Sequence, residues 1–147
     1  MSRNNNHQLS NLKVLIADDH LLIHQLVGNM LRDFQITDIQ TAASGHRAID
    51  LIQQATGAGQ PYDIVFLDWN MPTLSGLEVL SYFRAKPEYA TTAFVMLSSQ
   101  CEQQDVMKAI KAGATSYIIK PVSTSQLSVK LMEIHAWIRS SRSRKTP

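Results

Sequence analysis

Five times along this chain a short apolar run, too brief for a buried helix, gives way to a longer stretch with apolar side chains at helical spacing. The first is Lys13-Val14-Leu15-Ile16-Ala17, stopped by Asp18-Asp19, and it reads as a buried strand ending in a loop at its carboxyl edge. Ile23, Leu26, Val27, Met30, Leu31 and Phe34 then form the apolar stripe of a first helix. The alternation predicts further strands over 38–43, 63–67, 92–97 and 115–119. It predicts further helices over 45–55, 74–84, 102–112, closed by Gly113, and 124–139. In the last helix Leu127, Leu131, Ile134 and Ile138 share a face, leaving Val129 and Met132 exposed. Strands that alternate with helices and are apolar throughout imply a parallel sheet covered on both sides, because right-handed crossovers carry helices to either face. The Gly-rich connection 56–62, ending at Pro61 and Tyr62, reads as a mobile surface loop.

A chain of 147 residues encloses one core of this kind and not two. Five of its fourteen cations (Arg3, Arg139, Arg142, Arg144 and Lys145) lie near the termini, so nine cations face all twelve acids between Leu12 and Ile138. That acidic balance gives no footprint for direct DNA binding. Residues 1–11 are expected to be a flexible tail, 12–139 the domain, and 140–147 a basic, solvated, disordered tail. A single cysteine, Cys101, fits a reducing compartment, and MSRNNNHQLSN lacks the apolar stretch of a signal peptide. No apolar run approaches the ~18 residues of a membrane span, so the expected location is cytoplasmic.

In open α/β sheets ligands bind outside the carboxyl ends of the strands. Those ends carry Asp18 and Asp19, then Asp68, then Ser98 and Ser99, and finally Lys120 followed by Pro121. Three carboxylates gathered at one edge repel one another unless a cation neutralises them. An all-oxygen set with room for water suits Mg²⁺ better than zinc. With the cation and Lys120 present, a free oxygen of Asp68 is placed to attack phosphorus, by positioning and charge neutralisation. Ser98 then offers a hydroxyl to the new phosphoryl group. Tyr117 is the nearby aromatic able to respond when that hydroxyl moves.

The Asp18-Asp19 pair, Asp68-Trp69-Asn70-Met71-Pro72 with Gly76, Ser98-Ser99, Gly113-Ala114 and Tyr117-Ile118-Ile119-Lys120-Pro121 together resemble the receiver domain of two-component response regulators, nearest the stand-alone chemotaxis type. The resemblance implies a flavodoxin-like receiver fold, a doubly wound five-stranded parallel sheet ordered 2-1-3-4-5. It implies Asp68 as phosphoacceptor, with Mg²⁺ bound directly by Asp19, Asp68 and the backbone carbonyl of Asn70, and by Asp18 through water. Ser98, Ser99 and Lys120 would bind phosphate, Ser98 and Tyr117 would form the switch, and a cis peptide would precede Pro121. The phosphoryl donor would be a sensor histidine kinase or a phosphotransfer protein. The output would be contact with a downstream protein through the fourth helix, fifth strand and fifth helix, using Met107, Tyr117, Val129, Lys130 and Met132. Such a domain is no enzyme beyond its own phosphotransfer and autodephosphorylation, and exists as a monomer or a phosphorylation-dependent dimer. Ser99 stands where a smaller residue is frequent, and Gln100 and Asn70 flank the expected path of attacking water.

Two other readings fit less of the chain. A haloacid-dehalogenase-type Mg²⁺-dependent phosphohydrolase also uses an Asp nucleophile, but it needs an Asp-x-Asp pattern after the first strand, where Asp18 and Asp19 are adjacent. A flavodoxin-like cofactor module needs a phosphate-cradling loop there, which the same acids would oppose. His20 and His24 have a spacing used by zinc sites but lack a third N or S ligand nearby; solvated or helix-initial histidines are expected. Cys101 is expected to be partly buried and Trp69 to lie exposed at the rim of the site. Trp137 is expected in packing or a partner contact.

Overall fold

The computed structural model describes residues 9–145, with side chains described to residue 143. Five strands, β1 (Lys13–Ala17), β2 (Asp38–Ala42), β3 (Ile64–Asp68), β4 (Ala93–Ser98) and β5 (Ser116–Ile119), form one sheet. Between and after them come α1 (Leu21–Asp33), α2 (Gly45–Gly57), α3 (Gly76–Arg84), α4 (Gln103–Lys111) and α5 (Thr124–Lys145). All neighbours pair in parallel in the order β2-β1-β3-β4-β5, the order that the receiver resemblance implies.

The side-chain period of two divides the core between the faces. Leu15, Ala17, Val65, Leu67, Phe94 and Met96 point to one side, where Ile52 of α2, Leu80 and Phe83 of α3 and Ala109 of α4 cover them. Val14, Ile16, Ile64, Phe66, Val95 and Leu97 point to the other, under Val27 and Leu31 of α1 and the stripe Leu127, Leu131, Ile134 and Ile138 of α5. β1 and β3 are central and buried on both sides, which is why their runs are apolar without alternation. Among the described residues no helix is long and apolar enough to cross a membrane.

Several boundaries differ from the sequence reading. Leu9 is 2% exposed and belongs to the core, so ordered packing begins before Leu12; the rest of the expected N-terminal tail, 1–8, lies outside the described residues. The last helix runs to Lys145, and Arg142 within it pairs with Asp63 at the start of β3, so most of the expected disordered tail is helical. Residues 146 and 147 lie outside the described residues. The connection 56–62 is shorter than expected because α2 continues to Gly57, and its end, Tyr62, is buried. Leu26, expected on the buried stripe of α1, is 42% exposed, because only a narrow arc of that helix, Val27, Met30 and Leu31, reaches the sheet.

Arg84 ties the lower halves of several elements together. Its guanidinium donates to the carbonyls of Gly113 and Tyr89, each at 2.7 Å, and to Thr115 Oγ1 at 2.9 Å. It also lies over the rings of Phe94 and Trp137. Gly113 adopts φ +110°, and a Cβ there would fall 2.6 Å from Arg84 Cγ, so both backbone conformation and space require glycine.

Candidate functional site

The carboxyl ends of β1, β3 and β5 bring four functional groups together. Asp18 follows β1 and is fully buried; its amide donates to the Ala42 carbonyl at 3.0 Å, continuing the ladder one residue past the strand. Asp68 ends β3, with its Cα partner Leu97 in β4. Lys120, just past β5, reaches across to both carboxylates, at 2.9 Å from Asp18 Oδ2 and 3.2 Å from Asp68 Oδ1. Asp19 lies beside them, more open to solvent.

The two oxygens of Asp68 are unlike. Oδ1 accepts from Lys120 and, at 3.4 Å, from the Asn70 amide. Oδ2 is buried with no hydrogen-bond partner in the structure. Burial, and then repulsion from Asp18, push the Asp68 carboxyl up to about 6 from its ordinary 3.8, against the pull of Lys120. Burial alone would lower the Lys120 ammonium, but Asp18 and Asp68 outweigh it and raise its pKa. One ammonium thus serves two buried carboxylates and leaves an acceptor oxygen bare.

A divalent cation fits this arrangement. Ligand atoms of Asp18, Asp19, His20 and Asp68 lie within 4.8 Å of one another. Hard carboxylate oxygens with a solvent opening on the Asp19 side are the donor set Mg²⁺ takes.

The segment after β3 is shaped closely around the site. The Gly76 amide donates to the Trp69 carbonyl at 3.0 Å, and a Cβ on Gly76 would fall 2.2 Å from the backbone oxygen of Asp68. Thr73 takes φ +71°, turning the chain toward α3, which opens with a reciprocal cap between Ser75 and Glu78.

Ser98, fully buried at the end of β4, accepts from the Gln100 amide at 3.0 Å. Tyr117 donates its hydroxyl to the Gln100 carbonyl at 2.7 Å, and its ring meets Trp69 edge-on with centroids 6.3 Å apart. Burial raises the Tyr117 pKa. Gln100, in the loop after β4, is therefore held at its amide by Ser98 and at its carbonyl by Tyr117. Ser99 is exposed, and the Lys120–Pro121 peptide is cis.

Three expectations need correction. Trp69 is 9% exposed, because its ring turns inward onto Tyr117 rather than outward at the rim. Tyr117 is 7% exposed and contributes little to an outer face, whereas Met107, Val129 and Met132 are exposed at 46%, 59% and 45%. Cys101 is exposed, since it sits in the loop before the Glu102 cap of α4 and not on the helix's inner side. The sequence reading also missed His20 as a member of the acidic cluster. Its Nδ1 lies 3.0 Å from Asp18 Oδ1 and 3.1 Å from Asp19 Oδ1; the signal was its position directly after the pair.

The fold and this constellation define a receiver-type signalling domain. The family model described as "Response regulator receiver domain" matches residues 14–132, and the chain belongs to that family. Among its relatives, chemotaxis protein CheY-3 of Vibrio cholerae is 32% identical over 124 residues, which cover 84% of this chain and 92% of the relative. The structure of chemotaxis response regulator CheY4 of Vibrio cholerae is similar with a TM-score of 0.74 and 29% identity, covering 84% of this chain and 98% of that one. A CheX-CheY-BeF3-Mg complex from Borrelia burgdorferi gives a TM-score of 0.76 at 25% identity, covering 84% and 89% of the two chains. The chain is thus a CheY-like response regulator receiver, a signalling protein of the two-component type.

Proposed function

We propose that this receiver takes a phosphoryl group on Asp68 from the phosphohistidine of a sensor histidine kinase or phosphotransfer protein, with Mg²⁺, and signals by contact with a downstream protein. The observation that carries the reading is the asymmetry of Asp68: Oδ1 is held by Lys120 while Oδ2 is buried and bare. Oδ2 forms the bond to phosphorus as the P–N bond of the donor breaks, and the freed imidazole keeps that electron pair and takes a proton. Asp18, Asp19, Asp68 and the Asn70 carbonyl would hold Mg²⁺, which when bound offsets the charge of the carboxylates and of the transferred group. Lys120 spans Asp18 and Asp68 and stays within reach of the product's oxygens. The complex of the Borrelia relative, with BeF3 and Mg, supports the same chemistry at this site.

The output follows from the loop after β4. Ser98 spends its oxygen on the Gln100 amide, and Gln100 in turn accepts from Tyr117. A phosphoryl group carrying up to about two negative charges competes for the Ser98 hydroxyl. Ser99 and Lys120 complete its binding, the Gln100 loop shifts, and Tyr117 follows into the space released. The change reaches the surface of α4, β5 and α5 through Met107, Val129, Lys130 and Met132, with Tyr117 acting from beneath. Residues 12–139 constitute the receiver unit in this reading. The dehalogenase alternative gains nothing from the structure: both oxygens of Asp18, the residue that reaction would use as nucleophile, are engaged, Oδ1 by the His20 amide and Oδ2 by Lys120, whereas Asp68 keeps a bare oxygen.

Incubation of the protein with acetyl phosphate and Mg²⁺ tests the assignment. Wild type is expected to acquire acid-labile, hydroxylamine-sensitive phosphate, and Asp68→Asn to acquire none. Equal labelling of the variant would place the phosphoryl group elsewhere.

A further inference from the structure

We propose that His20 supplies a nitrogen ligand to the cation held by Asp18, Asp19 and Asp68, so that this site favours Mn²⁺ over Mg²⁺ more strongly than its carboxylates alone would. The inference rests on reading the acidic cluster as a divalent-metal site.

His20 is positioned as a ligand by the backbone. Its amide donates to Asp18 Oδ1 at 2.9 Å, and His24 Nε2 lies 2.7 Å from the Asp18 carbonyl, fixing the turn between β1 and α1. Nδ1 faces the acids, 3.0 Å from Asp18 Oδ1 and 3.1 Å from Asp19 Oδ1. Donor atoms from all four residues lie within 4.8 Å of one another. Two ligands on opposite sides of one small divalent ion are about 4.2 Å apart, twice a bond length of about 2.1 Å. The cluster is therefore only slightly wider than a coordination shell. Asp68, a member of the cluster, also carries a buried oxygen, Oδ2, with no hydrogen-bond partner.

The chemistry then sets the preference. Mg²⁺ takes oxygen ligands and keeps its water, so an imidazole adds little to its binding. First-row transition ions accept imidazole nitrogen readily, and each rises above Mg²⁺ when one is offered. To bind the cation, His20 Nδ1 exchanges its hydrogen bond to Asp18 Oδ1 for the metal, and no helix cap is lost. Its side chain is 66% exposed, and although it occupies the position that caps α1 it makes no capping bond with its side chain.

The test uses the full chain stripped of metal. Mg²⁺ and Mn²⁺ affinities are measured by calorimetry for wild type, His20→Ala, His20→Asn and His46→Ala, an exposed histidine of α2 outside the cluster, and the Mn²⁺-loaded proteins are examined by pulsed electron paramagnetic resonance for coupling to an imidazole nitrogen. Wild type and His46→Ala are expected to show the coupling, and both His20 variants to lose it. The ratio of Mn²⁺ to Mg²⁺ affinity is expected to drop about tenfold in His20→Ala, with Mg²⁺ affinity itself changing less than about threefold. His20→Asn, which offers a capping side chain, guards against a loss caused by a frayed helix. Mn²⁺ bound without nitrogen coupling, coupling that survives in the His20 variants, or an unchanged affinity ratio would overturn the proposal and leave the cation site standing. Failure of wild type to bind either metal would overturn the cation site as well.

Discussion

At the scale of single residues the site is built on an electrostatic debt centred on Asp68. Its carboxyl is held at about 6 rather than 3.8, by burial first and by Asp18 second. Between those two values the folded protein keeps a proton that the unfolded chain has released, so stability without metal falls as pH rises through this window and stays low above it. Asp68→Asn removes the charge while keeping an oxygen that accepts from Lys120. In metal-free buffer at pH 7 the variant is expected to be more stable than wild type by about 1–2 kcal/mol, and the gain should vanish below about pH 4. Saturating Mg²⁺ should narrow the gap by binding the wild-type carboxylates. Melting curves with EDTA across pH 3.5 to 7.5 read this directly, and a variant no more stable than wild type at pH 7 would contradict the burial argument. The convergence of Asp18, Asp68 and Lys120 at one edge of the sheet could be read from the chain because strand ends are easy to locate from apolar runs. His20 could not, because nothing in a linear pattern says that an imidazole at a helix start turns back toward the preceding acids.

At the scale of elements the legible part was the alternation itself, since period-two and helical patterns follow from how each element buries its face. What escaped was set by tertiary contact. The exposure of Leu26 depends on how much of α1 the sheet can cover, and the inward turn of Trp69 depends on Tyr117 two strands away. The extension of α5 to Lys145 meets Asp63, a partner far away in sequence. Arg84 belongs with these. It ends α3, yet it satisfies carbonyls of the turn after α4 and of the 3-10 turn Pro87–Tyr89, and burial lowers its pKa. Arg84→Ala removes three charge-assisted bonds, although the Tyr89 carbonyl keeps the Thr92 amide and Thr115 Oγ1 the Phe94 amide, and is expected to cost about 2–4 kcal/mol. Arg84→Lys should recover only part of that, because an ammonium lacks the planar fork that reaches three acceptors. Urea denaturation midpoints distinguish the three proteins. A midpoint for Arg84→Ala within error of wild type would mean that solvent replaces the guanidinium freely.

At the scale of the whole molecule, the sheet order puts the acidic cluster and the α4–β5–α5 face, the output surface of the proposed function, on opposite sides of one short loop. β3 and β4 are paired from Ile64↔Ala93 to Asp68↔Leu97, so Ser98 projects one residue beyond the partner of Asp68. β4 and β5 are paired to Ser98↔Ile119, so Lys120 projects one residue beyond that. Parallel register therefore gathers Asp68, Ser98 and Lys120 at one edge, while α4 and α5 flank the strand that carries Tyr117. Beside the buried cores of the two faces, the loop from Ser98 to Glu102 is exposed at Ser99, Cys101 and Glu102 and is joined to β5 through Gln100 and Tyr117. A change at Asp68 is expected to travel that way rather than through α2 and α3. Beryllofluoride with Mg²⁺, a stable mimic of the phosphoryl group, should therefore alter amide hydrogen exchange in residues 98–111, 116–119 and the first turns of α5. Exchange in α2 and the outer turns of α3 should stay as it was. Tyr117→Ala should bind the mimic yet show a smaller change in α4, because the Gln100 carbonyl loses the hydroxyl that couples it to β5. Exchange altered equally on both faces, or an undiminished response in Tyr117→Ala, would show that the signal spreads through the sheet as a whole and not through the loop.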